Sequence, residues 1–162
     1  VPANQPLPCY GMMCPQAPNV ATVNGPPDKQ TRYWWFQVDS EMLAVAASVA
    51  GTVALDQCTT SGVCLSEPPI VTVGGNGVAG PTFVDNAAYR EYAWNTWAAD
   101  ALDMESSAVA HVAVTNGVPF IVFRSLSDLA GGGPGENEIR TFFALAASNS
   151  AKVMLAFLEE LP

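Results

Sequence analysis

Apolar positions along the chain follow two different periods, and the elements they predict surround a pair of acidic residues. Met104, Ala108, Val112 and Thr115 recur at helical spacing with alanine among them, and Asn116-Gly117 followed by Pro119 is a strong stop signal. The spacing predicts a helix from Asp103 to Asn116 with Glu105 in its first turn. Phe120 to Phe123 is a short continuous apolar run, the pattern of a strand buried on both faces, and it ends at Arg124. Asp128 then falls just past the strand's carboxyl end, where open α/β sheets bind ligands. Glu105 and Asp128 are thus expected to face one crevice.

Elsewhere the periods are shorter. Residues 1–30 hold seven prolines and two cysteines with almost no apolar periodicity, and read as an irregular arm fixed by a bridge. The body of the domain is expected over residues 31–162. Tyr33 to Val38 is an aromatic, strand-like run that reads as core or as a covered face. Asp39 or Ser40 can then cap a helix whose Leu43, Ala46, Ala47 and Ala50 share one side before Gly51. Val53 to Gln57 and Ile70 to Val73 are β-branched runs that predict two strands flanking a cysteine loop.

Gly75-Asn76-Gly77-Val78-Ala79-Gly80 matches a dinucleotide-binding glycine pattern. However, Pro81-Thr82-Phe83-Val84 continues it in extended character where that site needs a helix. A flexible turn that delivers Phe83 and Val84 to the crevice is the better reading. A helix capped by Asp85 and carrying Tyr89, Tyr92 and Trp97 should follow. The glycines from Gly131 to Gly135 read as a gate or connector, and a final helix from about Asn137 to Leu161 places Phe142, Phe143, Leu145, Val153, Leu155 and Leu158 mostly on one broad face.

Composition narrows the classes. A chain of 162 residues with 49% hydrophobic content is long enough for one domain with a sizeable core. Six basic against fifteen acidic residues give a net charge of -9, which repels nucleic-acid polymers and anionic membranes. The most apolar stretch without a charge, Met42 to Leu55, is fourteen residues and too short to span a bilayer. Cys9 and Cys14, and Cys58 and Cys64, are too widely spaced for a CxxC motif. Local disulfides are the simpler of the three possible pairings. Closing the second loop contributes roughly 2 kcal/mol and suits an oxidising compartment, along the secretory route to the vacuole or the exterior. Val1 and the lack of a signal peptide suggest a processed or partial chain.

The chemistry that remains is carboxylate chemistry. His111 is the lone histidine and no nucleophile elbow accompanies it, so a serine-hydrolase triad is excluded and a helix histidine in a polar contact is expected. One histidine and two tight cysteine pairs offer no metal cluster. Glu105 and Asp128 fit a pair of opposed acids for glycosidic cleavage. Each also has a purely structural reading, helix-dipole compensation for Glu105 and turn capping for Asp128. With Arg124, Ser127 and Phe83 they form a stacking face, a hydroxyl-binding carboxylate and an acid, more than packing requires.

Asp103-Met104-Glu105 before an alanine-rich helix, then Val118-Pro119-Phe120 and Arg124-Ser125-Leu126-Ser127-Asp128, resembles the nucleoside phosphorylase and nucleosidase superfamily from about Trp34 onward. Thr82 to Arg90 and the small cysteine loop look most like its plant branch, which includes bark and vegetative storage proteins. The resemblance implies part of a three-layer αβα fold with a central mixed sheet flanked by helices, usually in a homo-oligomer. It implies cleavage of purine nucleosides without a cofactor, with phosphate as a possible co-substrate. Glu105 would accept from two ribose hydroxyls, Met104 would pack on the sugar, and Phe83 with the Val84 backbone would hold the base. Asp128 would protonate the leaving purine, Ser127 would support it, and Arg124 would orient nearby carboxylates. Asp103 stands where the family often carries glutamate. The resemblance places this chain after the family's phosphate loop and first strands, so a complementary amino-terminal chain is an expected partner. The alternative from another class is a storage or ligand-binding protein that keeps the fold without turnover.

Overall fold

The computed structural model describes residues 8–26, 28–132 and 139–162. Along the chain run β1 (Asn19–Val20), β2 (Thr31–Arg32), α1 (Ser40–Val49), β3 (Asn76–Ala79), α2 (Ala87–Trp97), β4 (Ala99–Asp103), α3 (Ser106–Asn116) and α4 (Ile139–Glu159). The α/β class is as expected, with one antiparallel and one parallel pair of strands among the described residues. Both expected local disulfides, Cys9–Cys14 and Cys58–Cys64, are formed. The chain divides into two compact units, Val1–Asp39 with Gly75–Phe120, and Ser40–Gly74 with Ile121–Pro162.

The first unit is built on β3 and β4, which pair in parallel from Asn76↔Ala99 to Ala79↔Asp103 with α2 as the crossover. The glycine-rich stretch is therefore a strand, a correction to the expected turn. Gly75 shows why glycine is needed at its start. It sits at φ +88°, and a Cβ there would lie 2.5 Å from the Asp100 carboxylate, whose Oδ2 accepts from the Asn76 N–H at 2.9 Å. Two polar contacts turn the chain from α2 into β4. Asn76 Nδ2 donates to the carbonyls of Trp97 and Ala98, and Ala98 takes the left-handed conformation that lets its N–H close the last turn of α2.

The amino-terminal stretch is not irregular throughout. β1 and β2 pair antiparallel, Val20 is buried, and the Val23 N–H donates to the Thr115 carbonyl at 2.9 Å. The aromatics after β2 pack rather than extend the strand. Tyr33 stacks on Phe36, Phe36 on His111 at 5.5 Å between centroids, and Trp34 and Trp35 meet Trp97. Instead of the polar contact expected of His111, its imidazole lies nearly parallel to an aromatic ring.

α3 ends where expected, at Asn116, because Gly117 adopts φ +63° and donates back to the Ala113 and Val114 carbonyls. Its face differs from the prediction. Ala110 and Ala113 are buried while Val109 and Val112 are exposed, so the face that meets the rest of the unit is the one that lets backbones approach closely.

In the second unit α1 packs on α4 around Ala46, Val49 and Phe157, with Met42, Val45, Val73, Ile121 and Phe123 against them. The expected face of α1, Leu43 with Ala46, Ala47 and Ala50, is rotated. The covered side carries Met42, Val45 and Val49 with Ala46, while Ala47 of the expected face is exposed. Phe120 to Phe123 belongs to neither sheet, correcting the expected buried strand. Ile121 and Phe123 lean on the α1 and α4 core, with the Phe123 and Phe157 rings 5.0 Å apart, while Val122 is exposed. Side-chain packing on one side substitutes for a ladder.

Val53 to Gln57 and Ile70 to Val73 are not strands either. Asn149, buried on α4, accepts from the Asp56 N–H and donates to the Asp56 carbonyl, both at 2.9 Å, and Lys152 Nζ lies 2.7 Å from Asp56 Oδ2. One side-chain amide thus satisfies the backbone that a neighbouring strand would otherwise pair. The stripe of α4 that packs is Phe142, Leu145, Asn149, Val153 and Phe157; Phe143, Leu155 and Leu158, expected on the same face, are exposed. By length and composition alone this helix could cross a membrane. The glycines from Gly133 to Gly135 and the helix start at Asn137 lie outside the described residues.

Candidate active site

Two of the expected site segments leave the same end of one strand pair. The carboxyl ends of β3 and β4 are joined at Ala79↔Asp103, and the Gly80 N–H donates to the Asp103 carbonyl at 3.2 Å. From β3 the chain continues through Gly80 and Pro81 to Phe83 and Val84; from β4 it continues directly into Met104 and Glu105. This is the edge at which parallel α/β sheets present ligand-binding segments. Phe83 and Met104 are both exposed there, 55% and 45%.

The turn between β4 and α3 is set by Asp103, which the helical spacing places in the helix itself. Asp103 ends the strand, and its Oδ1 accepts from the Glu105 N–H at 3.0 Å and the Ser106 N–H at 2.8 Å, while Ser106 Oγ donates to Oδ2. These bonds satisfy donors at the start of α3. Glu105 is consequently the residue before the helix and not part of its first turn. Its side chain makes no capping hydrogen bond. Ser107 Oγ adds a bond to the Ala79 carbonyl at 3.2 Å, tying α3 back to β3. The Asp-x-x-Ser spacing was a readable signal for this arrangement, but it competes with a helix start at Asp103 itself.

At the start of α2 the cap is shifted by one residue. Asn86, not Asp85, caps α2: its Oδ1 accepts from the Tyr89 N–H at 2.8 Å. Tyr89 and Tyr92 lie on the first turns of α2, ring centroids 5.6 Å apart. Burial, and to a lesser extent the neighbouring Tyr92, push the Tyr89 phenol above its ordinary value.

Arg124, Ser127 and Asp128 belong to the second unit, in irregular chain after the 120–123 run. Asp128 is half-buried, and Ser127 Oγ donates to its Oδ1 at 2.8 Å. Because no strand precedes it, Asp128 is held by local contacts and not by a strand end. Among the described residues no group of three or more His, Cys, Asp or Glu side chains is placed to hold a metal ion.

Comparison with known proteins converges on one group. The family model described as "Phosphorylase superfamily" matches residues 20–159, which include every expected catalytic and substrate-binding residue. A 5'-methylthioadenosine/S-adenosylhomocysteine nucleosidase of Treponema pallidum is 36% identical over 124 residues, covering 67% of this chain and 45% of that protein. The protein of the same name from Halalkalibacterium halodurans is 30% identical over 128 residues, 78% of this chain and 48% of its own length. That of Actinobacillus succinogenes is 43% identical over 61 residues, 38% of this chain and 26% of that protein. The chain spans about half the length, at most, of these curated relatives. No solved structure matches it.

Proposed function

Because the chain belongs to the phosphorylase superfamily, we propose that it forms part of a protein that cleaves the N-glycosidic bond of purine nucleosides. The observation that carries this reading is the convergence of Phe83-Val84 and Met104-Glu105 at one end of the β3–β4 pair. An aromatic face beside an aliphatic thioether and a carboxylate suits a base joined to a sugar. In this reading the Glu105 carboxylate accepts from two ribose hydroxyls, while Asp103 holds the turn that leads into α3.

The reaction needs a proton for the leaving purine as positive charge grows on the sugar. Asp128 is the acid in this reading, with Ser127 orienting its carboxyl and Arg124 orienting neighbouring carboxylates. Water or phosphate then takes the sugar. The part of the relatives that lies outside the match, or a complementary chain or second copy, would hold that acceptor. The named relatives favour a methylthioadenosine-like substrate and water. The two disulfides support maturation in an oxidising compartment, as in a secreted or vacuolar protein.

The test is incubation of the native protein with methylthioadenosine, adenosine and inosine, with and without phosphate, and chromatography of the released base. Base release that disappears in Asp128→Asn supports the reading. Binding without release in every condition replaces it with a purine-binding or storage protein of the same fold, and neither binding nor release overturns both.

A further inference from the structure

The amino-terminal disulfide loop is fastened to the helix that follows Phe83 and Val84. Cys9–Cys14 closes a tight hairpin in which Tyr10 and Met13 exchange both backbone hydrogen bonds, at 2.9 and 3.0 Å. The ring of Tyr10 stands edge-on to Tyr89, centroids 5.2 Å apart and planes at 87°, and touches Tyr92 at 5.4 Å. Its hydroxyl donates to Asn86 Oδ1 at 3.3 Å, the same oxygen that caps α2. A further tie comes from the other side, where Tyr92 Oη donates to the Pro8 carbonyl at 2.7 Å.

Every contact of this hairpin named above falls on the first turns of α2 or on its cap, from two to eight residues after Val84. The position of a short extended segment is set by what anchors its ends. Here one end is the β3–β4 ladder and the other is the capped start of α2. We infer that Tyr10, presented by the Cys9–Cys14 loop, is a positioning residue that holds the Phe83-Val84 segment for the purine, and that opening this disulfide weakens purine binding. The inference rests on the proposed base-holding role of Phe83 and Val84. The redox step is a two-electron exchange: a dithiol reductant loses two hydrogens and becomes its cyclic disulfide, while Cys9 and Cys14 become two thiols. With the loop open, Tyr10 is no longer pre-formed to meet three partners at once. Its hold on α2 then carries the entropy of ordering the loop.

Two readouts in the native protein test this separately, backbone hydrogen exchange over residues 84–92 and the dissociation constant for adenosine. Tyr10→Ala, Cys9→Ser with Cys14→Ser, and wild type reduced with dithiothreitol should each exchange faster over that segment. Each should also bind adenosine about tenfold more weakly, the range two aromatic contacts and a hydrogen bond supply. Turnover at saturation should change less than affinity. Tyr10→Phe keeps the ring contacts and should retain most of the affinity, which separates positioning from misfolding. A Cys58→Ser, Cys64→Ser variant should respond to reduction as wild type does, placing the effect in the first loop. Exchange unaltered by Tyr10→Ala and by reduction overturns the proposal, as does faster exchange with affinity kept within about twofold. If the oxidised wild type binds no nucleoside, faster exchange still supports the hold on α2 and the nucleoside reading is what falls.

Discussion

Two acids on this chain are held in opposite ways. Glu105 follows a strand that is laddered to its neighbour, and a second acid, Asp103, spends its carboxylate on the Glu105 and Ser106 N–H groups. Asp128 follows an apolar run without a ladder, and one serine hydroxyl braces it. The first arrangement fixes the backbone around Glu105 through the β3–β4 ladder and the Asp103 carboxylate. The second leaves Asp128 in irregular chain, with the Ser127 hydroxyl donating to its Oδ1.

This contrast can be broken at three places. Asp128→Asn should lower base release by about a thousandfold, within the usual range for a general acid, with little change in nucleoside affinity, as read by separate kcat and Kd measurements. An equal loss of affinity would show that Asp128 binds and does not donate. Asp103→Ala removes the acceptor for the donors at the head of α3 and should destabilise the protein by about 2 kcal/mol, measured by denaturant unfolding. It should weaken nucleoside binding through Glu105 as well; intact stability would mean another group caps the helix. Ser127→Ala should cost about 1 kcal/mol in the activation barrier and almost nothing in the unfolding midpoint, because the bond it loses is local and partly solvated.

The smallest effect concerns pH. Tyr89 is held above its ordinary value of 10.0, first by burial and then by Tyr92, so the unfolded chain ionises before the folded one. Its contribution is therefore intact below pH 10.0 and is lost as pH rises toward the folded value. A thermal midpoint that falls above that pH in wild type and falls less in Tyr89→Phe is the expected result.

Part of the site was legible because its signals are local. The stop at Asn116-Gly117 depends on one residue's access to positive φ, and the disulfides join cysteines five and six residues apart. The motif segments from Asp103 to Asp128 carried the family resemblance for the same reason. The start of α3 is less legible although it is local: the spacing puts Asp103 in the helix, and only the ladder with β3 decides that Asp103 still belongs to a strand. A parallel pair cannot be read from Gly77-Val78-Ala79 alone when its partner lies beyond a crossover helix.

The α/β class, the stop of α3 at Asn116-Gly117 and the two near-neighbour disulfides are readable from the chain alone. Only the tertiary structure decided which faces of α1, α3 and α4 are covered, and that the 120–123 run packs on helices instead of joining a sheet. It also decided that Asp56 is satisfied by Asn149, 93 residues away. The reason is physical: backbone preferences act over a few residues, whereas burial and hydrogen-bond satisfaction depend on which distant surface arrives to meet them.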